Sequence, residues 1–489
     1  MASRGARCFS TIEMAVPDAQ QNTGDSVNVK RLRPRDYVLA LGLLVAFTLA
    51  GWKIFTRLPA ENFQAAQPQQ TPSPLGVPGK AASTLSAAGQ PEQLSQDGRF
   101  RFNAQFVSGA PGQAVHAASL VELNDGRLQA VWFSGSREGA GNVTIQTAVM
   151  DQSTQRWGAQ RTLLDRQHLQ QGLWRYIKKL GNPVIARMPD DSLTLWMVNV
   201  SLGGWAGSSI TWLRSTDEGL SWSTPRRLVT SPFLNISTLV KGAPIFYENG
   251  QIGLPVYHEF VSKFAEILRI SPQGQVLDKT RIPGSQTSLQ PVVLGASPTQ
   301  AQVYMRSGKA IAVMTSATDD AGKTWSATRA TPWINPDSAL AGVVTGTGQQ
   351  WLALNTHPKN REVLALLQSP AGGSFEGAIP WTVEASPDPE VRLSVGDYER
   401  LLGDELKARG ASPAQAQAYI VSAKRQLCGA DTCAQEFSYP YLLQSRDGYL
   451  HLVYTWHRSR IKHVRLDPLQ VLQPDAASPA LRHAAPAAH

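Results

Sequence analysis

One pattern recurs along most of the chain: a polar turn followed at once by alternating apolar residues. It begins at residues 124–126, 189–192, 248–250, 346–348 and 446–448. Alternation with a period of two predicts half-buried β-strands, and turn residues separate each strand from the next. The first three turns are about sixty residues apart, a spacing typical of propeller blades, so a folded part of roughly 350 residues predicts about six blades.

A second repeat is an eight-residue motif. Residues 215–222 and 318–325 both follow the pattern S/T-x-D-x-G-x-S/T-W. We expect a hairpin turn in which the Asp carboxylate accepts backbone N–H groups, Gly adopts a positive φ and Trp packs on the sheet. Eroded copies run from Gln152 to Trp157 and from Gln368 to Phe375. The pattern predicts a structural role and no catalytic one.

The exception to an all-β chain is a helical insertion over 390–430. Residues 396–409 and 412–426 are rich in helix formers, and Ser412-Pro413 is a typical helix start. Cys428 and Cys433 flank a short loop at its end. Outside the cytosol these two cysteines are expected to form a disulfide, and two free thiols are the alternative.

Residues 37–55 are apolar for long enough to span a bilayer, with Lys53 as the one charge near the end. Lys30, Arg31, Arg33 and Arg35 precede them, so the positive-inside rule predicts a cytoplasmic leader over 1–36 and a single anchor over 37–55. The propeller is then periplasmic or otherwise extracytoplasmic. A signal peptide that is cleaved after small residues is the alternative.

Residues 56–97 are rich in Pro, Gln, Ala, Ser and Gly and predict a flexible linker, and 471–489 predict a disordered tail. The folded domain is therefore expected over 98–470. The net charge is +9, but no dense basic run is interleaved with aromatic residues, so a nucleic-acid partner is not expected. A mildly basic surface suits an anionic substrate.

Longer strings within 110–468 resemble the BNR or Asp-box sialidase-like family, the predicted neuraminidases. Residues 132–139 (WFSGSREG) are similar to the family's W-F-G-G-T-x-E-G, residues 333–338 resemble its P-N-P-N-S, and residues 437–441 (FSYPY) are the closest match. The eight-residue motif resembles the family's Asp box. The resemblance implies a six-bladed propeller with the active site at one end of its axis and the Asp boxes towards the other, without a metal or organic cofactor.

A sialidase-like site needs arginines, because a guanidinium binds a sugar carboxylate through two parallel hydrogen bonds. Arg306 and Arg361 stand in family-like strings and are the first candidates, with a surface ion pair as the alternative for each. Arg137 is the candidate for a third arginine, although its position differs from the family's early arginine motif. Gln290, Asn335 and Asn355 are candidates for bonds to sugar hydroxyls or, alternatively, for capping turns.

The resemblance also implies a tyrosine nucleophile, since a carboxylate would meet the substrate's own negative charge. Tyr439 occupies the matching place, and Tyr441 is the second candidate. A phenol needs a nearby base, for which Glu259 is the candidate, and the leaving oxygen needs an acid, for which Glu138 or His116 is the candidate. Packing within the sheet is the alternative for each of these residues.

A polar cluster lies near the last strand: His451, His457, Arg458, Arg460, Lys462 and His463. We interpret it as a solvated face at the ring closure and not as a metal site, because alternate residues of a strand point to opposite faces.

These features favour an anchored exo-glycosidase that removes a terminal acidic sugar, sialic acid or a related nonulosonic acid, with retention through a tyrosyl intermediate. One alternative is a propeller for another glycoside, of the uronic acid or rhamnose type. Another is a non-catalytic, glycan-binding envelope protein, because one fold serves many functions.

Overall fold

The computed structural model describes residues 33–55, 61–64, 93–95, 98, 100–107, 109, 112–151, 153–231, 235–309, 311–369 and 373–469. They fall into two compact units, one within Met1–Thr56 and one within Arg57–His489. The tail predicted over 471–489 and most of the linker predicted over 56–97 lie outside the described residues.

The first unit contains helix α1 (Pro34–Phe55), which covers the segment predicted to be an anchor. Its sequence is rich in Leu and Ala, which are strong helix formers. The backbone N–H of Arg33 donates to the Asp36 carboxylate at 2.9 Å and so fixes the first turn. Within the described part of the chain, no helix combines the length and the hydropathy that a membrane crossing requires. The anchor over 37–55 therefore stays a prediction.

The second unit is a six-bladed β-propeller, as the repeats predicted. The chain first forms two strands that belong to its last blade, β1 (Gln93–Leu94) and β2 (Arg101–Phe106). From the axis outwards, blade 1 has β3 (Ala114–Glu122), β4 (Leu128–Gly135), β5 (Thr144–Asp151), β6 (Arg156–Trp157) and β7 (Arg161–Leu164). Helix α2 (Arg166–Leu173) leads into blade 2, which has β8 (Lys179–Arg187), β9 (Leu193–Val200), β10 (Ser208–Ser215) and β11 (Arg226–Arg227).

Blades 3 to 5 repeat the same antiparallel order. Blade 3 has β12 (Leu239–Val240), β13 (Ile245–Phe246), β14 (Ile252–Glu259), β15 (Lys263–Ile270) and β16 (Val276–Arg281). Blade 4 has β17 (Ser288–Gly295), β18 (Ala301–Ser307), β19 (Met314–Thr318) and β20 (Arg329–Ala330). Blade 5 has β21 (Ala341–Val344), β22 (Gln350–Asn355), β23 (Val363–Ser369) and β24 (Trp381–Ala385). In blade 3, β12 and β13 both pair with β14, so its innermost strand is broken in two.

Blade 6 closes the ring by combining both ends of the domain. Its inner strands are β27 (Phe437–Gln444), β28 (Leu450–Trp456) and β29 (Arg460–Leu466), and β2 pairs with β29 from Phe102 opposite Leu466 to Phe106 opposite Lys462. The edge that β29 would otherwise expose is thereby covered by a strand from the start of the domain.

Both Asp-box hairpins have the predicted geometry. In the first, Asp217 accepts from the Ser221 backbone N–H at 2.9 Å, and Gly219 has a φ of 77°. In the second, Asp320 accepts from the Thr324 backbone N–H at 2.8 Å, and Gly322 has a φ of 80°. Because each motif joins the third strand of its blade to the fourth, both lie at one end of the ring.

The eroded copies keep less of this geometry. Gln152 lies outside the described residues, and it is the preceding Asp151 that accepts from the Thr154 backbone N–H at 2.8 Å. In the other copy, Phe375 is buried where the motif has Trp.

Two helices form the insertion between blades 5 and 6, α3 (Val395–Ala408) and α4 (Pro413–Leu427). Ser412 caps α4 in a capping box with Gln415, and Pro413 occupies the first turn, as the Ser-Pro pair predicts. Cys428 and Cys433 form a disulfide beside the short pair β25 (Leu393–Ser394) and β26 (Thr432–Cys433).

The polar cluster of the last strands is buried, so the prediction of a solvated face was wrong. His451, His457, Lys462 and His463 are each at most 4% exposed. His451 Nδ1 lies 3.0 Å from His463 Nε2, and the Lys462 amine donates to Glu384 at 2.9 Å and to Glu405 of α3 at 3.1 Å. These side chains are buried because β2 and the helical insertion cover β29, a tertiary arrangement that strand alternation does not reveal.

Candidate active site

Four innermost strands carry a bulge at the same end, and these bulges build the site. The pairing register shifts between His116 and Ser119, Gly181 and Val184, Leu289 and Val292, and Ser438 and Tyr441. A non-glycine residue with positive φ lies in each bulge: Ala117 (55°), Asn182 (38°), Gln290 (51°) and Tyr439 (53°). A bulge changes the direction in which its side chains point. A left-handed conformation at a non-glycine residue costs about 1–3 kcal/mol of folding free energy, and such strained residues cluster at functional sites.

The bulges lie at the end of the ring opposite the Asp boxes. They occur near the starts of the innermost strands, where the second strands of the blades end. The Asp-box hairpins follow the ends of the third strands, which run parallel to the innermost strands. This separation agrees with what the family resemblance implied.

Tyr439 lies at the centre of the site. Its hydroxyl oxygen accepts hydrogen bonds from Arg306 Nη1 at 3.2 Å and from Gln290 Nε2 at 3.1 Å. Arg306 Nη1 also donates to Gln290 Oε1 at 3.1 Å, so the three side chains hold one another. Two donors that converge on a phenol oxygen stabilise negative charge on that oxygen. The structure thus brings together a predicted nucleophile and two predicted substrate-binding residues.

A second tyrosine extends this network on the side of blades 2 and 3. The Tyr257 hydroxyl accepts from Asn182 Nδ2 at 3.1 Å and from Gln290 Nε2 at 3.4 Å. Burial, the Tyr439 phenol and Glu259 raise the pKa of Tyr257 above its ordinary value. Tyr257 therefore keeps its proton, and its hydroxyl holds the side chains of Asn182 and Gln290 through hydrogen bonds.

Asp337 connects the two predicted carboxylate-binding arginines. Its side chain accepts from Arg306 Nε at 2.6 Å, and its backbone carbonyl accepts from Arg361 Nη2 at 2.8 Å. The Arg361 guanidinium carbon lies 6.0 Å from the centre of the Tyr439 ring. Burial alone would lower the pKa of Arg306, but Tyr439 and Asp337 raise it above its ordinary value.

A third arginine completes the cluster, and it is Arg458 instead of the predicted Arg137. Arg458 Nε donates to Glu436 at 3.0 Å, and its Nη1 donates to Glu138 at 2.9 Å. Arg361 Nη1 also donates to Glu436, at 3.4 Å. Burial would raise the pKa of Glu436, but Arg458 and Arg361 lower it below its ordinary value. Glu436 is thus a buried carboxylate that orients two arginines.

His116 packs against the nucleophile candidate, with ring centres 4.0 Å apart. Its Nδ1 lies 2.9 Å from Thr455 Oγ1, which also accepts from the Ala117 backbone N–H at 3.3 Å. The Thr455 hydroxyl can donate one hydrogen bond and accept two, so this contact fits either tautomer of the imidazole, with the proton on Nδ1 or on Nε2. That Nε2 is buried and has no hydrogen-bond partner among the described residues.

The charge of His116 bears on its predicted role as an acid. Burial, then Arg458 and Arg361, lower its pKa well below the ordinary value. His116 is therefore neutral at neutral pH, and it carries no imidazolium proton to donate.

Glu259 stands at the end of β14, where its backbone N–H donates to Ser237 Oγ at 2.8 Å. Burial raises the pKa of its carboxyl group; Lys263 and Arg306 oppose this shift, while Asp337 and Glu138 add to it. Glu259 therefore shares the electrostatic environment of the arginine cluster. Among the described residues, however, no hydrogen bond joins Glu259 to the Tyr439 hydroxyl, which the role of base would require.

Four predicted site residues are not placed for the roles predicted for them. Arg137 is exposed, in the turn after β4, and its side chain makes no hydrogen bond or ion pair with another described residue. The Asn335 amide is occupied by Ser338, donating to its carbonyl at 2.9 Å and accepting from its N–H at 3.0 Å. Both residues belong to a turn, so capping, the alternative for Asn335, is what the structure contains.

Asn355 and Tyr441 are occupied by the fold in the same way. Asn355 is fully buried, donates to the Phe437 carbonyl at 2.8 Å and accepts from Ser338 Oγ at 2.5 Å. Tyr441 is 5% exposed within an apolar cluster, and burial raises the pKa of its hydroxyl. Neither side chain presents a group to a ligand.

Five residues of the site were missed as candidates: Asn182, Tyr257, Asp337, Glu436 and Arg458. One signal was present in the sequence. Asn182, Gln290 and Tyr439 each precede a proline near the start of an innermost strand, so a polar residue before Pro recurs at corresponding positions of three blades. The others depend on contacts between blades and have no local signal.

The arrangement is suited to binding an anion beside a phenol. Three guanidinium groups surround Tyr439 and His116, while Glu138, Glu259 and Asp337 supply carboxylates at the same end. Within the described ranges, no three His, Cys, Asp or Glu side chains lie together in a way that could hold a metal ion.

Comparison with known proteins gives one family match and a set of similar folds. The family model of the BNR repeat-like domain matches residues 126–452, and no curated protein matches the chain. The Hadza microbial sialidase Hz136 is similar with a TM-score of 0.54 and 13% identity, over 73% of this chain and 66% of that one.

Two further sialidase structures are similar to the same extent. The intramolecular trans-sialidase from Ruminococcus gnavus has a TM-score of 0.52 and 13% identity, over 76% of this chain and 97% of its own. The NanB sialidase from Streptococcus pneumoniae has a TM-score of 0.52 and 9% identity, over 75% and 70%. At these identities the similarity concerns the fold alone.

Proposed function

We propose that this chain, which belongs to the BNR repeat-like domain family, is an exo-glycosidase that hydrolyses a terminal acidic sugar from a glycan. The sugar is sialic acid or a related nonulosonic acid. One observation carries the proposal: Arg306 Nη1 donates to the Tyr439 hydroxyl at 3.2 Å, while the Arg361 guanidinium lies 6.0 Å from the Tyr439 ring. Residues from three blades thus place two guanidinium groups, which can bind an anionic sugar, beside the candidate nucleophile.

The arginines bind the sugar carboxylate. Arg306 Nη2 has no hydrogen-bond partner among the described residues, because Nε and Nη1 take up the contacts to Asp337, Gln290 and Tyr439. A guanidinium edge that its neighbours hold in place binds a carboxylate with little loss of side-chain entropy. Asp337 and Glu436 orient the arginines and are themselves neutralised by them.

Tyr439 is the nucleophile of the proposed reaction. Its oxygen attacks the anomeric carbon, the glycosidic bond breaks, and the leaving oxygen takes a proton. Water then cleaves the tyrosyl–sugar bond on the same face, so the configuration at the anomeric carbon is retained. Arg306 and Gln290 stabilise the phenolate oxygen at the start and at the end of this cycle.

Proton transfer is assigned to the carboxylates of the site. The raised pKa of Glu259 brings it closer to the pH at which a carboxyl group exchanges a proton efficiently. Glu259 takes the phenol proton once substrate draws the groups together, and the protonated form of Glu138 donates to the leaving oxygen. The attacking water returns a proton to Glu138, and Glu259 returns its proton to the Tyr439 oxygen. His116 remains neutral and packs on the Tyr439 ring, and its Nε2 has no hydrogen-bond partner among the described residues.

The proposal includes the place of action. An anchor over residues 37–55, with the basic leader in the cytoplasm, would hold the propeller on the extracytoplasmic side, where glycans carry terminal acidic sugars. The disulfide between Cys428 and Cys433 supports this side of the membrane, since disulfides persist in oxidising compartments.

The test is release of methylumbelliferone from conjugates of sialic and other nonulosonic acids by the full-length protein. Tyr439→Phe should abolish the release, whereas Tyr441→Phe, a matched loss of a hydroxyl two residues away, should retain it. Turnover that survives Tyr439→Phe would remove the tyrosyl mechanism.

A second candidate is a glycan-binding protein without catalysis. The observation that favours it is that the Tyr439 hydroxyl has no described carboxylate as a hydrogen-bond acceptor. Calorimetric binding of an acidic glycan without turnover would select this function. Release of methylumbelliferone from uronic acid or rhamnose conjugates alone would instead select another glycoside as substrate.

A further inference from the structure

Lys241 is a buried lysine near the candidate nucleophile. It directly follows β12 and is 3% exposed. Its amine donates a hydrogen bond to the backbone carbonyl of Pro440 at 2.9 Å. Lys241 belongs to blade 3 and Pro440 to blade 6, which face each other across a six-membered ring. The hydrogen bond therefore joins two opposite blades beside Tyr439.

The amine lies between two aromatic rings of blade 6. It is 5.9 Å from the centre of the Tyr439 ring and 5.6 Å from that of Tyr441. Among the described residues it forms no ion pair with a carboxylate. Burial of an amine without a counter-ion costs folding free energy, so we expect Lys241 to have a role that offsets this cost.

The backbone around Lys241 fixes this position. The innermost strand of blade 3 is interrupted between β12 and β13, and Lys241 lies at the start of that interruption. A Cβ atom on Gly242 would lie 2.3 Å from the Pro291 carbonyl oxygen. The segment thus passes directly against the bulge of blade 4.

We propose that Lys241 is a positioning residue for Tyr439: it clamps the Pro440 carbonyl and so holds the left-handed bulge that aims the phenol at the arginines. This inference deepens the proposed function, and it rests on that function only in taking Tyr439 as the nucleophile. Tyr439 has a φ of 53° immediately before a proline, a conformation that the residue before proline disfavours. A contact that holds the next carbonyl counteracts that preference.

The titration of Lys241 has an effect that can be measured. Burial lowers its pKa to about 7, so its charge changes near neutral pH. The other charged or titratable groups near it and the Tyr439 ring are His116, Tyr257, Glu259, Arg306, Arg361, Glu436, Tyr441 and Arg458. Of these, His116 is neutral, Tyr257 and Tyr441 are protonated near pH 7, and the arginines keep their charge.

The test uses ¹⁹F NMR of full-length protein labelled with 3-fluorotyrosine, with the Tyr439 resonance assigned from Tyr439→Phe. In the wild type we expect this resonance to show an inflection near pH 7, as Lys241 loses its proton. In Lys241→Met the inflection should vanish and the resonance should shift or broaden, while that of the remote Tyr304 stays unchanged. Glu259→Gln should retain the inflection, which identifies the titrating group.

Lys279→Met is the matched control, because the Lys279 amine also donates to a backbone carbonyl, that of Thr230 at 3.4 Å, but at the surface. It should retain the wild-type titration. Lys241→Arg keeps a donor and a permanent charge, so it should fold even where Lys241→Met does not, and it should lack the inflection. A wild-type resonance without an inflection near pH 7, or one that persists in either Lys241 variant, overturns the proposal.

Turnover provides an independent measurement. If the chain hydrolyses a nonulosonic acid conjugate, Lys241→Met should lower kcat by about 100-fold and leave KM within about twofold, since displacement of a nucleophile by about 1 Å has that effect. A kcat equal to that of the wild type would overturn the positioning role. Absence of turnover in the wild type would refute the proposed function and leave the NMR result to decide the role of Lys241.

Discussion

The Asp337 carboxylate accepts a hydrogen bond from Arg306 Nε at 2.6 Å, although Asp337 belongs to the connection between blades 4 and 5 and Arg306 to a strand of blade 4. The contact fixes the plane of the guanidinium and leaves its outer edge for a ligand. The same residue holds Arg361 through its backbone carbonyl. Asp337 thus sets the geometry of both arginines without itself attracting an anion.

The first prediction concerns this contact. Asp337→Asn should weaken binding of an acidic sugar by about tenfold, because it removes a charge-assisted hydrogen bond that orients Arg306. Isothermal titration calorimetry with the free sugar measures the change. The control is Glu376→Gln, which alters an exposed pair with Arg329 and should bind as the wild type does. Equal affinities of the Asp337 and Glu376 variants would show that Arg306 needs no such orientation.

Arg306→Lys should reduce affinity for the acidic sugar by about 10- to 100-fold, because a lysine replaces the guanidinium fork with a single ammonium group. Binding of the matching neutral sugar should change much less, since the fork recognises the carboxylate. Arg329→Lys, an exposed arginine of the same blade, is the control. A parallel loss for acidic and neutral sugars would argue against carboxylate recognition by Arg306.

The raised pKa of Glu259 predicts a limb in the pH profile of kcat/KM. If Glu259 acts as a base, activity falls as the pH drops below that raised pKa, because the protonated carboxyl cannot accept a proton. If it acts as an acid, activity falls as the pH rises above it. Glu259→Gln should remove that limb and lower kcat, whereas a profile unchanged by the substitution would exclude Glu259 from proton transfer.

Stability should fall in mild acid because of the buried histidine pair. Burial lowers the pKa of His451 to about 3 and that of His463 well below its ordinary value, so the unfolded chain binds more protons than the folded one below about pH 6.5. The free energy of unfolding should then decrease as the pH drops, by at most about 1.4 kcal/mol per pH unit for each histidine. Urea unfolding at pH 7 and pH 5 measures this slope.

His463→Gln should make the pH slope shallower, even where it lowers stability at both pH values, because one buried titrating group is gone. His168 is exposed, so His168→Gln should leave the slope unchanged. A wild-type slope equal to that of His463→Gln would contradict the assignment.

Glu384→Ala should destabilise the propeller by about 3 kcal/mol, because it leaves the Lys462 ammonium in a buried place without one of its two carboxylates. The side chain of Glu384 is 15% exposed and that of Lys462 is 6% exposed. Tyr454 and Trp456 also donate to Glu384. Hydrogen exchange should rise in α3, which Lys462 binds through Glu405. Glu376→Ala removes an exposed carboxylate and should change stability by less than about 0.5 kcal/mol.

Structural features that depend on a few neighbouring residues could be predicted from the sequence. Turn residues and strand alternation predicted the blades, the Asp boxes predicted their own hydrogen bonds, and Ser412 predicted the start of α4. Tyr439, Arg306 and Gln290, which the structure brings together, were also candidates from the sequence, because each stands in a string that resembles the family.

The rest of the site depends on which blades become neighbours. Arg458 looked like part of a solvated face, yet it pairs with Glu436 and with Glu138 of another blade, a contact that exists only once the ring is closed. Asn355 looked available to a ligand, yet the carbonyl of Phe437, from another blade, takes its amide. No spacing in the sequence indicates either contact, because each joins residues that are distant in the chain.

The pairing of β2 with β29 has a consequence for biogenesis. As the chain is synthesised, β2 emerges near the start of the domain and its partner β29 near the end, so the outer strands of blade 6 stay unpaired with the rest until translation of the domain is nearly complete. Joining such distant segments is intrinsically slow and leaves strand edges open to wrong partners in the meantime. The nascent chain should accordingly depend on chaperones until β29 arrives, and truncation from either end should yield an aggregation-prone product.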